Sequence, residues 1–345
     1  MRKHRNVFLL VIVSLILLLS SLPMLAQKTD VITFKNGDQL TVDIKEFTRG
    51  KLRATTIGLG TIYIEWQVIE SVETSKIYQV ELSSGTRMLG TIKRADAGAG
   101  MNVLTVSGPR AVDFADVAQI QRVKRDRSIW DRIDGSVQFG LNYTSGSEIG
   151  QTNFGLNAYF LEAKYAVGTD LNGTFTTGSA TNDTQRYNWG VNYYGLLQNR
   201  WFWLANTNLD SNDQLGIDLR LLAGGGVGRF LIKNNSSRWM ASAGLAASRE
   251  LRLDDNQTQI EGQLITEYSY YFFAPKKTDL NFILSLYPGL TQSDRLRGNF
   301  DTTIRWEIIK DFTLDLTYFY SWDNQPPQGA ASNDTGVTTS IGYTF

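Results

Sequence analysis

Residue-by-residue alternation between apolar and polar side chains dominates residues 132–345. The alternating segments are about ten residues long, the length of a membrane-spanning strand. In the last segment Val337 and Ile341 fall on one face, while Thr338 and Gly342 fall on the other. Because successive side chains of a strand point to opposite faces, this pattern indicates strands that separate an apolar medium from water. The C-terminal part is therefore predicted to be all-β.

Alternation also occurs in soluble β-sandwiches. The positions of charged and aromatic residues decide between a soluble sandwich and a membrane barrel. Mid-strand charges are tolerated in a watery lumen but not in a sandwich core. Aromatic residues near strand ends are typical of girdles at membrane interfaces, and in lipid such a sheet has to close. These aromatics are Trp201, Trp203, Trp239, Tyr268, Tyr270, Phe272, Tyr320 and Trp322. The predicted lumen-facing charges are Asp170, Asp218, Arg220, Glu261, Glu267, Asp301, Arg305, Glu307 and Asp315.

Residues 128–345 are predicted to form a closed antiparallel transmembrane β-barrel of about twelve strands, with ten as the alternative. Compact turns alternate with longer polar loops, among them residues 210–213, and an even strand count returns the C-terminus to the starting side. The predicted strands begin near Ile133, Gln151, Lys164, Gln185, Trp201, Gln214, Arg238, Thr258, Thr278, Arg297, Phe312 and Gly336.

The pairing register of two neighbouring strands follows from the faces and the charges of their residues. Directly opposed residues of an antiparallel pair share a face, so the two strands around residue 310 have two plausible registers. One opposes Arg305 to Asp315 across a three-residue loop, residues 309–311, with Ile308 against Phe312. The other opposes Glu307 to Asp315, which is disfavoured because like charges repel. The sequence predicts the Arg305–Asp315 pair.

The N-terminus has the features of a secretory signal peptide. Arg2, Lys3 and Arg5 precede a run of 13 almost entirely apolar residues, Val7 to Leu19. Cleavage is expected after Ala26, so that residues 1–26 are removed. A retained anchor is the alternative, but the run is short for a bilayer and nothing resembling a stop-transfer signal or a second long apolar run follows.

Residues 31–125 contain an internal repeat. The pattern Ile32-x-Phe34-x-x-Gly37 matches Val80-x-Leu82-x-x-Gly85, and after a three-residue slip Trp66 matches Val117. Each copy of about fifty residues predicts a small SH3-like or Sm-like β unit, with boundaries at 27–76 and 77–127. Both copies are expected in the periplasm, as binding modules or as a structural plug or spacer. The basic residues that follow predict either a solvated linker or a contact with anionic headgroups; they are Arg122, Lys124, Arg125 and Arg127.

Two absences restrict the chemistry. The chain has no Cys, and its single His is His4, inside the predicted signal peptide. Thiolate and histidine-dependent catalysis and Cys or His metal sites are thereby excluded from the mature chain. We expect no catalytic residues, no cofactor and no metal. Removing residues 1–26 leaves 34 − 3 = 31 Lys and Arg against 34 Asp and Glu, a net charge near −3 that gives no support for nucleic-acid binding.

The final residues carry a possible assembly signal. Ile341, Tyr343 and Phe345 share one face of the last strand. A terminal aromatic on an alternating strand resembles the recognition signal of the outer-membrane barrel-assembly machinery. The expected partners are therefore this machinery and outer-membrane lipid, while any small solute or periplasmic ligand stays unidentified.

The repeat, the junction Trp130-Asp131-Arg132-Ile133-Asp134-Gly135-Ser136-Val137 and the barrel together resemble one family. This is the putative salt-induced outer-membrane protein family, domain-of-unknown-function family 481. The stretches KNGDQLTVDIK and IYIEWQVIESV resemble the same proteins more loosely. The resemblance implies an outer-membrane location and a link to salt stress. It transfers no catalytic residue.

Four functions are compatible with this pattern. The first is a non-enzymatic barrel forming a narrow solute or ion pore, since twelve strands lie between side-chain-filled barrels and open porins. The second is a structural or binding envelope protein with an occluded barrel. An outer-membrane hydrolase is third, because twelve-stranded phospholipases need a His that this chain lacks. An autotransporter is disfavoured by the absence of a long passenger and a linker helix.

Overall fold

The computed structural model describes residues 29–95, 100–123, 133–144, 149–162, 164–178, 183–251, 257–272, 277–309, 311–326 and 329–344. The signal-peptide prediction and the junction at 130–132 lie outside these residues. The described chain is all-β, with an N-terminal sheet followed by a closed barrel. Among the described residues, no helix is long and apolar enough to cross a bilayer.

Ten strands form the N-terminal sheet, called here the N-terminal module. In the first half they are β1 (Asp30–Phe34), β2 (Gln39–Thr48), β3 (Lys51–Thr56), β4 (Gly60–Glu65) and β5 (Ile69–Glu73). In the second half they are β6 (Tyr78–Leu82), β7 (Arg87–Arg94), β8 (Met101–Thr105), β9 (Gly108–Val112) and β10 (Val117–Arg122). A 3₁₀ turn precedes the fifth strand of each half, at Trp66–Val68 and at Phe114–Asp116.

The two halves repeat the same pairing. In each, the first strand pairs with the second and the fifth, and the second, third and fourth pair in order. Equivalent residues stay 48 positions apart to the end of the repeat, so Trp66 corresponds to Phe114. The three-residue slip predicted from the sequence is therefore wrong. That alignment matched apolar side chains of the two halves. The 3₁₀ turn before the last strand of each half shows which residues are equivalent.

The two halves share one hydrophobic core. Ile32, Phe47 and Trp66 from the first half pack in the same cluster as Val80 and Ile120 from the second. Strand β10 also pairs with β2, which joins the halves through backbone hydrogen bonds. The predicted boundary between residues 76 and 77 thus separates two structural repeats that pack as one body.

Asp43 on β2 lies at the centre of a buried ion cluster in the module. Its carboxylate pairs with Lys45 and Lys76, and Arg122 Nη1 lies 2.7 Å from its Oδ1. Burial alone would raise the pKa of Asp43, but these cations lower it to about 2. Arg122 is therefore held inside the module and is not available to headgroups. The other members of the predicted basic run lie outside the described residues.

Twelve antiparallel strands close the barrel, which confirms the predicted fold class and strand number. They are β11 (Ile133–Thr144), β12 (Ile149–Leu161), β13 (Tyr165–Gly178), β14 (Thr184–Leu196), β15 (Trp201–Asn212), β16 (Ile217–Lys233), β17 (Ser237–Leu251), β18 (Gln257–Phe272), β19 (Thr278–Pro288), β20 (Leu296–Ile309), β21 (Phe312–Asp323) and β22 (Asn333–Thr344). Closure is made by β11 against β22, with Ser136 opposite Thr344. No predicted strand start differs from the observed one by more than three residues.

The end of the barrel that carries both of its termini is called here the inner end. Its connections are two to five residues long, and those at the outer end are four to nine. The loop predicted at residues 210–213 is wrong, because β15 continues to Asn212 and a 3₁₀ turn follows. The Asn212 side chain accepts hydrogen bonds from the backbone N–H groups of Gln214 and Leu215, which satisfies the first donors of this turn.

The outer face of the barrel is apolar. Large hydrophobic side chains on it are exposed, and nothing in the described part of the chain covers them. An apolar surface of this extent needs an apolar surrounding. Examples from around the barrel are Phe139, Leu141, Leu221, Val227, Leu245, Ile260, Leu264, Ile308, Phe312, Val337 and Ile341.

The predicted register between β20 and β21 is confirmed. Arg305 opposes Asp315, Trp306 opposes Leu314, and the Arg305 guanidinium holds both carboxylate oxygens at about 3.0–3.1 Å. The turn itself differs from the prediction. Phe312 opposes Ile309 because the register shifts between Glu307 and Ile309. This irregularity shortens the connection to two residues.

Candidate functional site: the barrel lumen

A polar cavity of about 540 Å³ lies inside the barrel. The charges on its wall balance, with six arginines and six carboxylates among the lining residues. The arginines are Arg49, Arg186, Arg220, Arg238, Arg297 and Arg305, and the carboxylates are Asp170, Asp210, Glu267, Asp279, Asp301 and Asp323. Since β-strand alternation turns every second side chain inward, this wall follows from the alternation in the sequence.

At the outer end, four buried charged residues form what we call the outer ion cluster: Arg220, Glu250, Arg295 and Asp323. Glu250 Oε1 lies 2.9 Å from Arg295 Nη2 and 2.7 Å from Arg220 Nη2, and Arg295 also binds Asp323. The Arg295 side chain is only 1% exposed. These residues come from β16, β17, β21 and the connection before β20. The cluster therefore ties distant strands together across the outer opening.

A second buried pair lies beside this cluster. Arg297 on β20 binds Glu261 on β18, with Nη2 2.5 Å from Oε2, and its guanidinium lies 4.2 Å from the centre of the Tyr287 ring. The sequence analysis predicted Glu261 as a lumen charge but missed Arg297, Arg295 and Glu250. Glu250 lies at the end of β17 and Arg295 in the connection before β20, and no local pattern shows that their side chains turn inward.

The inner end of the lumen is crossed by other pairs. Arg238 on β17 binds Glu267 on β18, and Lys277 Nζ lies 3.2 Å from Glu307 Oε1. On the opposite wall the bidentate Arg305–Asp315 pair also donates to Ser136 Oγ at 3.4 Å. Each of these charges therefore has an oppositely charged neighbour, as burial of ions requires.

Part of the inner wall is apolar. Phe202, Phe230 and Met240 are buried and pack together, with the two phenyl rings 5.0 Å apart. Gly228 makes this possible, because a Cβ there would lie within 3 Å of the Phe202 ring. These side chains narrow the inner half of the lumen along β15 to β17.

Between the two ends the wall is rich in amides. Ten asparagines line the cavity. Asn188 donates to Asn208 Oδ1 at 2.9 Å, and Ser136 donates to Asn157 Oδ1 at 2.9 Å. Asn153 is 4% exposed, and within the described part of the chain neither its Oδ1 nor its Nδ2 has a hydrogen-bond partner. Buried polar groups are normally paired, so Asn153 stands out.

The structure places the predicted lumen charges as follows. Asp170, Arg220, Glu267, Asp301 and Arg305 line the cavity. Glu261 and Asp315 are buried behind it, each bound to a lining arginine. Glu307 lies at the inner end, paired with Lys277.

Asp218 departs from the prediction. It is exposed, whereas its neighbour Ile217 is 2% exposed and pairs with Asn212. The 3₁₀ turn at Asp213–Leu215 and the register shift between Asp210 and Asn212 break the alternation at this point. Counting alternate residues along the strand therefore gives the wrong face for Asp218.

The residues of the predicted assembly signal lie on the outer face as far as they are described. Ile341 is 63% exposed, and the Tyr343 ring lies 5.4 Å from that of Phe312 on the adjacent strand. Phe345 lies outside the described residues.

The N-terminal module packs on the inner end of the barrel. Arg53 Nη1 lies 2.7 Å from Asp134 Oδ1, and Lys233 Nζ lies 2.9 Å from Glu81 Oε1 and 3.3 Å from Gln119 Oε1. These contacts join β3, β6 and β10 of the module to β11 and β16 of the barrel. They reach both of the module's repeats, so the module is fixed over the opening at several points.

A turn of the module enters the opening. Arg49, between β2 and β3, lines the barrel cavity, and its guanidinium lies 5.4 Å from the centre of the Tyr271 ring. Its backbone has φ 52°, and Gly50 follows with φ 68°. Two successive left-handed residues make a tight turn that only a small residue adopts without cost at the second position. The sequence analysis missed this role for Arg49.

A second module turn meets the barrel at Gly85. Its φ is 87°, and a Cβ there would lie 2.8 Å from Arg200 Cγ. Arg200 also donates to the backbone carbonyl of Ser83. Glycine is therefore required at position 85 both by its conformation and by the close approach of the barrel turn.

Three solved structures illustrate what the fold is similar to. The NanC porin shares 13% identity over 61% of this chain and 98% of its own, with a TM-score of 0.38. The COG4313 outer membrane channel from Pseudomonas putida F1 shares 12% over 62% and 95%, with a TM-score of 0.33. The KdgM porin, in complex with disordered oligogalacturonate, shares 8% over 61% and 99%, with a TM-score of 0.30. At such values the likeness conveys nothing about a solute.

No curated protein matches the chain. A family match, by contrast, covers residues 137–345, which is most of the chain and nearly all of the barrel. It confirms the domain-of-unknown-function family predicted from the sequence, while the salt-induced description is not part of the match. The chain belongs to the family described as "Protein of unknown function, DUF481".

Proposed function

We propose that this protein is an outer-membrane channel for small polar solutes, held closed at its periplasmic end by its own N-terminal module. The observation that carries the proposal is the position of Arg49, a module residue that lines the barrel cavity. A module side chain that enters a polar lumen obstructs it, as the plug of a channel does. The exposed apolar outer face supports placement in a bilayer.

Three features of the inner end support an orientation with the module in the periplasm. The module, both barrel termini and the shorter connections lie together there. Bacterial outer-membrane barrels carry their short turns on the periplasmic side. A module delivered by a signal peptide and docked at this end lies in the periplasm.

Closure at both ends supports a second candidate, a structural or binding envelope protein with an occluded barrel. The outer ion cluster ties β16, β17 and β21 together, and Phe202 and Phe230 narrow the inner half. For either function we propose that the protein is not an enzyme, since the mature chain has no Cys or His. A link to salt stress, implied by the family resemblance, fits the ion pairs that dock the module.

The test is planar-bilayer recording with the full-length protein, its Arg49→Ala variant and a matched Arg110→Ala control. Arg110 is exposed on β9 of the same module. We expect rare openings for the wild type and the control. Arg49→Ala should open roughly two- to fivefold more often, since the Arg49 side chain is exposed within the lumen and a cation–π contact of an exposed cation contributes about 0.5–1 kcal/mol.

Folding of each protein is checked by its gel migration before and after boiling, because a closed barrel migrates faster unboiled. If correctly folded wild type and Arg49→Ala are both silent over long recordings, the channel proposal fails and the structural candidate stands.

A further inference from the structure

We propose that the amide-rich middle of the lumen is a binding site for a neutral polyhydroxylated solute, of the sugar or polyol class. This inference rests on the proposed channel function, which it deepens by naming the solute. The observation that carries it is Asn153, a buried amide on the cavity wall with both polar atoms unpaired within the described residues.

Several arginines of the wall are paired with carboxylates. Glu267 binds Arg238, and Arg305 binds both oxygens of Asp315 behind the wall. The lining carries six arginines and six carboxylates, so its formal charges sum to zero. A wall of this kind gives no electrostatic advantage to an anion or a cation over a neutral molecule.

Part of the unused hydrogen-bonding capacity belongs to amides. Besides Asn153, the buried atoms without a partner in the described chain include Asn206 Oδ1 on the cavity wall and, behind the wall, both polar atoms of Gln263. An amide offers two acceptor lone pairs and two donors, and a hydroxyl offers one donor and two acceptor lone pairs. A molecule covered with hydroxyls can therefore satisfy both ends of each amide, which a simple ion without hydroxyl groups cannot.

Glycines in the barrel wall give these amides room to lie against it, which leaves the middle of the cavity free. Asn206 and Gln263 both lie over Gly224, where a Cβ would be 2.9 Å from Asn206 Oδ1 and 2.7 Å from Gln263 Oε1. At Gly155 a Cβ would lie 2.7 Å from Gln138 Oε1. The amides occupy the space that a side chain at these glycines would take. They thus lie along the wall and leave the middle of the cavity open.

The size of the chamber agrees with such a solute. At about 540 Å³ it falls within the roughly 300–1,000 Å³ typical of small-molecule sites. Rings of Tyr187 and Phe319 contribute apolar surface to the lining, suited to the C–H faces of a sugar ring. Asp170 and Asp301, which also line it, are acceptors for further hydroxyls.

The test is isothermal titration calorimetry on the full-length protein in detergent, with sucrose, sodium methanesulfonate and choline chloride as neutral, anionic and cationic probes. We expect saturable binding of sucrose and none of the other two. The titrations are repeated on Arg49→Ala, in which the inner opening is less obstructed. Absence of sucrose binding in both proteins overturns the inference.

The deciding variant is Asn153→Leu, which keeps the branched shape and the number of heavy atoms of the side chain and removes the amide. Sucrose affinity should fall at least tenfold. The temperature at which the folded barrel converts to the slow gel form should not fall, because no hydrogen bond is lost. The matched control is Asn102→Leu on β8 of the module, which should bind sucrose like the wild type. Unchanged affinity of Asn153→Leu overturns the inference.

The remaining outcomes separate this inference from the channel proposal. Binding of choline without sucrose would make Asp170 and Asp301 a cation site and overturn the neutral-solute class. A protein that conducts in bilayers but does not bind sucrose overturns this inference alone. A protein that binds sucrose and never conducts retains the site and overturns the channel.

Discussion

Lys233, the last residue of β16, extends from the barrel to Glu81 on β6 of the module, with Nζ 2.9 Å from Oε1. The side chains are 14% and 4% exposed, so the pair is largely removed from water. Arg87 also binds Glu81, 3.1 Å from Oε2, and Gln119 accepts a second hydrogen bond from Lys233. The pair is the most buried ion pair among the described contacts between module and barrel. It should therefore contribute to keeping the module docked.

Replacing Lys233 with Met should open the channel. The module loses a buried partner charge, although Arg87 still compensates Glu81, so we expect open probability to rise roughly tenfold, equivalent to about 1.4 kcal/mol. Bilayer recording measures this directly. Adding Glu81→Gln to Lys233→Met should open the channel no further, since the two residues act as one pair. Lys93→Met, whose pair with Glu73 is 3.9 Å long and exposed, is the control and should behave as wild type.

Higher ionic strength should shift the equilibrium between the closed and the open channel towards the open channel. The Arg53–Asp134 pair is partly exposed, with Asp134 at 40%, so salt screens it more than it screens Lys233–Glu81. The screening length falls from about 10 Å at 0.1 M to about 3 Å at 1 M. Open probability, measured apart from unitary conductance, should rise with salt in the wild type. It should rise less in Asp134→Asn, where this pair is already absent. An equal rise in both would show that the pair is not responsible.

Acid should destabilise the module through Asp43. Its pKa is about 2 in the folded chain against an ordinary 3.8, so the folded state binds the proton more weakly than the unfolded state. The resulting stability, about 2 kcal/mol, is complete above pH 3.8 and is lost as the pH falls towards 2. Pepsin cleavage within residues 30–122 should accelerate across this window while the barrel stays resistant.

The variant Asp43→Asn should remove that acid-dependent step. It leaves Arg122 buried without a carboxylate, so the module should be less stable than the wild type by about 3 kcal/mol near neutral pH, and this difference should shrink as wild-type Asp43 is protonated near pH 2. Asp116→Asn, at an exposed position, should follow the wild-type curve. A wild-type cleavage rate that does not change between pH 4 and pH 2, after correction for pepsin activity, would contradict the role of Asp43.

The C-terminal aromatic face should be needed for assembly. Phe345→Asp places a charge on the face shared by Ile341 and Tyr343, both exposed on the outside of the barrel. We expect strong loss of outer-membrane protein and degradation of the remainder, measured by fractionation and by migration of unboiled samples. Thr338→Ala, on the opposite face of the same strand, should assemble normally. Normal surface levels of Phe345→Asp would refute the assembly signal.

The sequence determined the features that depend on neighbouring residues. Alternation gave the twelve strands, since each strand must present one face to lipid and one to the lumen. Face parity and like-charge repulsion gave the Arg305–Asp315 register, because both partners lie on consecutive strands. The same counting failed at Asp218 and at Ile308, where a 3₁₀ turn and a register shift change the parity. Counting along a strand cannot detect such irregularities.

Only the tertiary structure decided which distant residues meet. Arg295 is bound by Glu250 and Asp323, separated from it by 45 and 28 positions, because closure of the barrel brings β17 and β21 to the same opening. Arg49 reaches the lumen because the module docks on the inner end, a contact made by surfaces with no shared sequence pattern. A strand's own sequence fixes its faces through the period of the backbone. The partners of an inward charge depend on how the whole sheet closes and on what covers its ends.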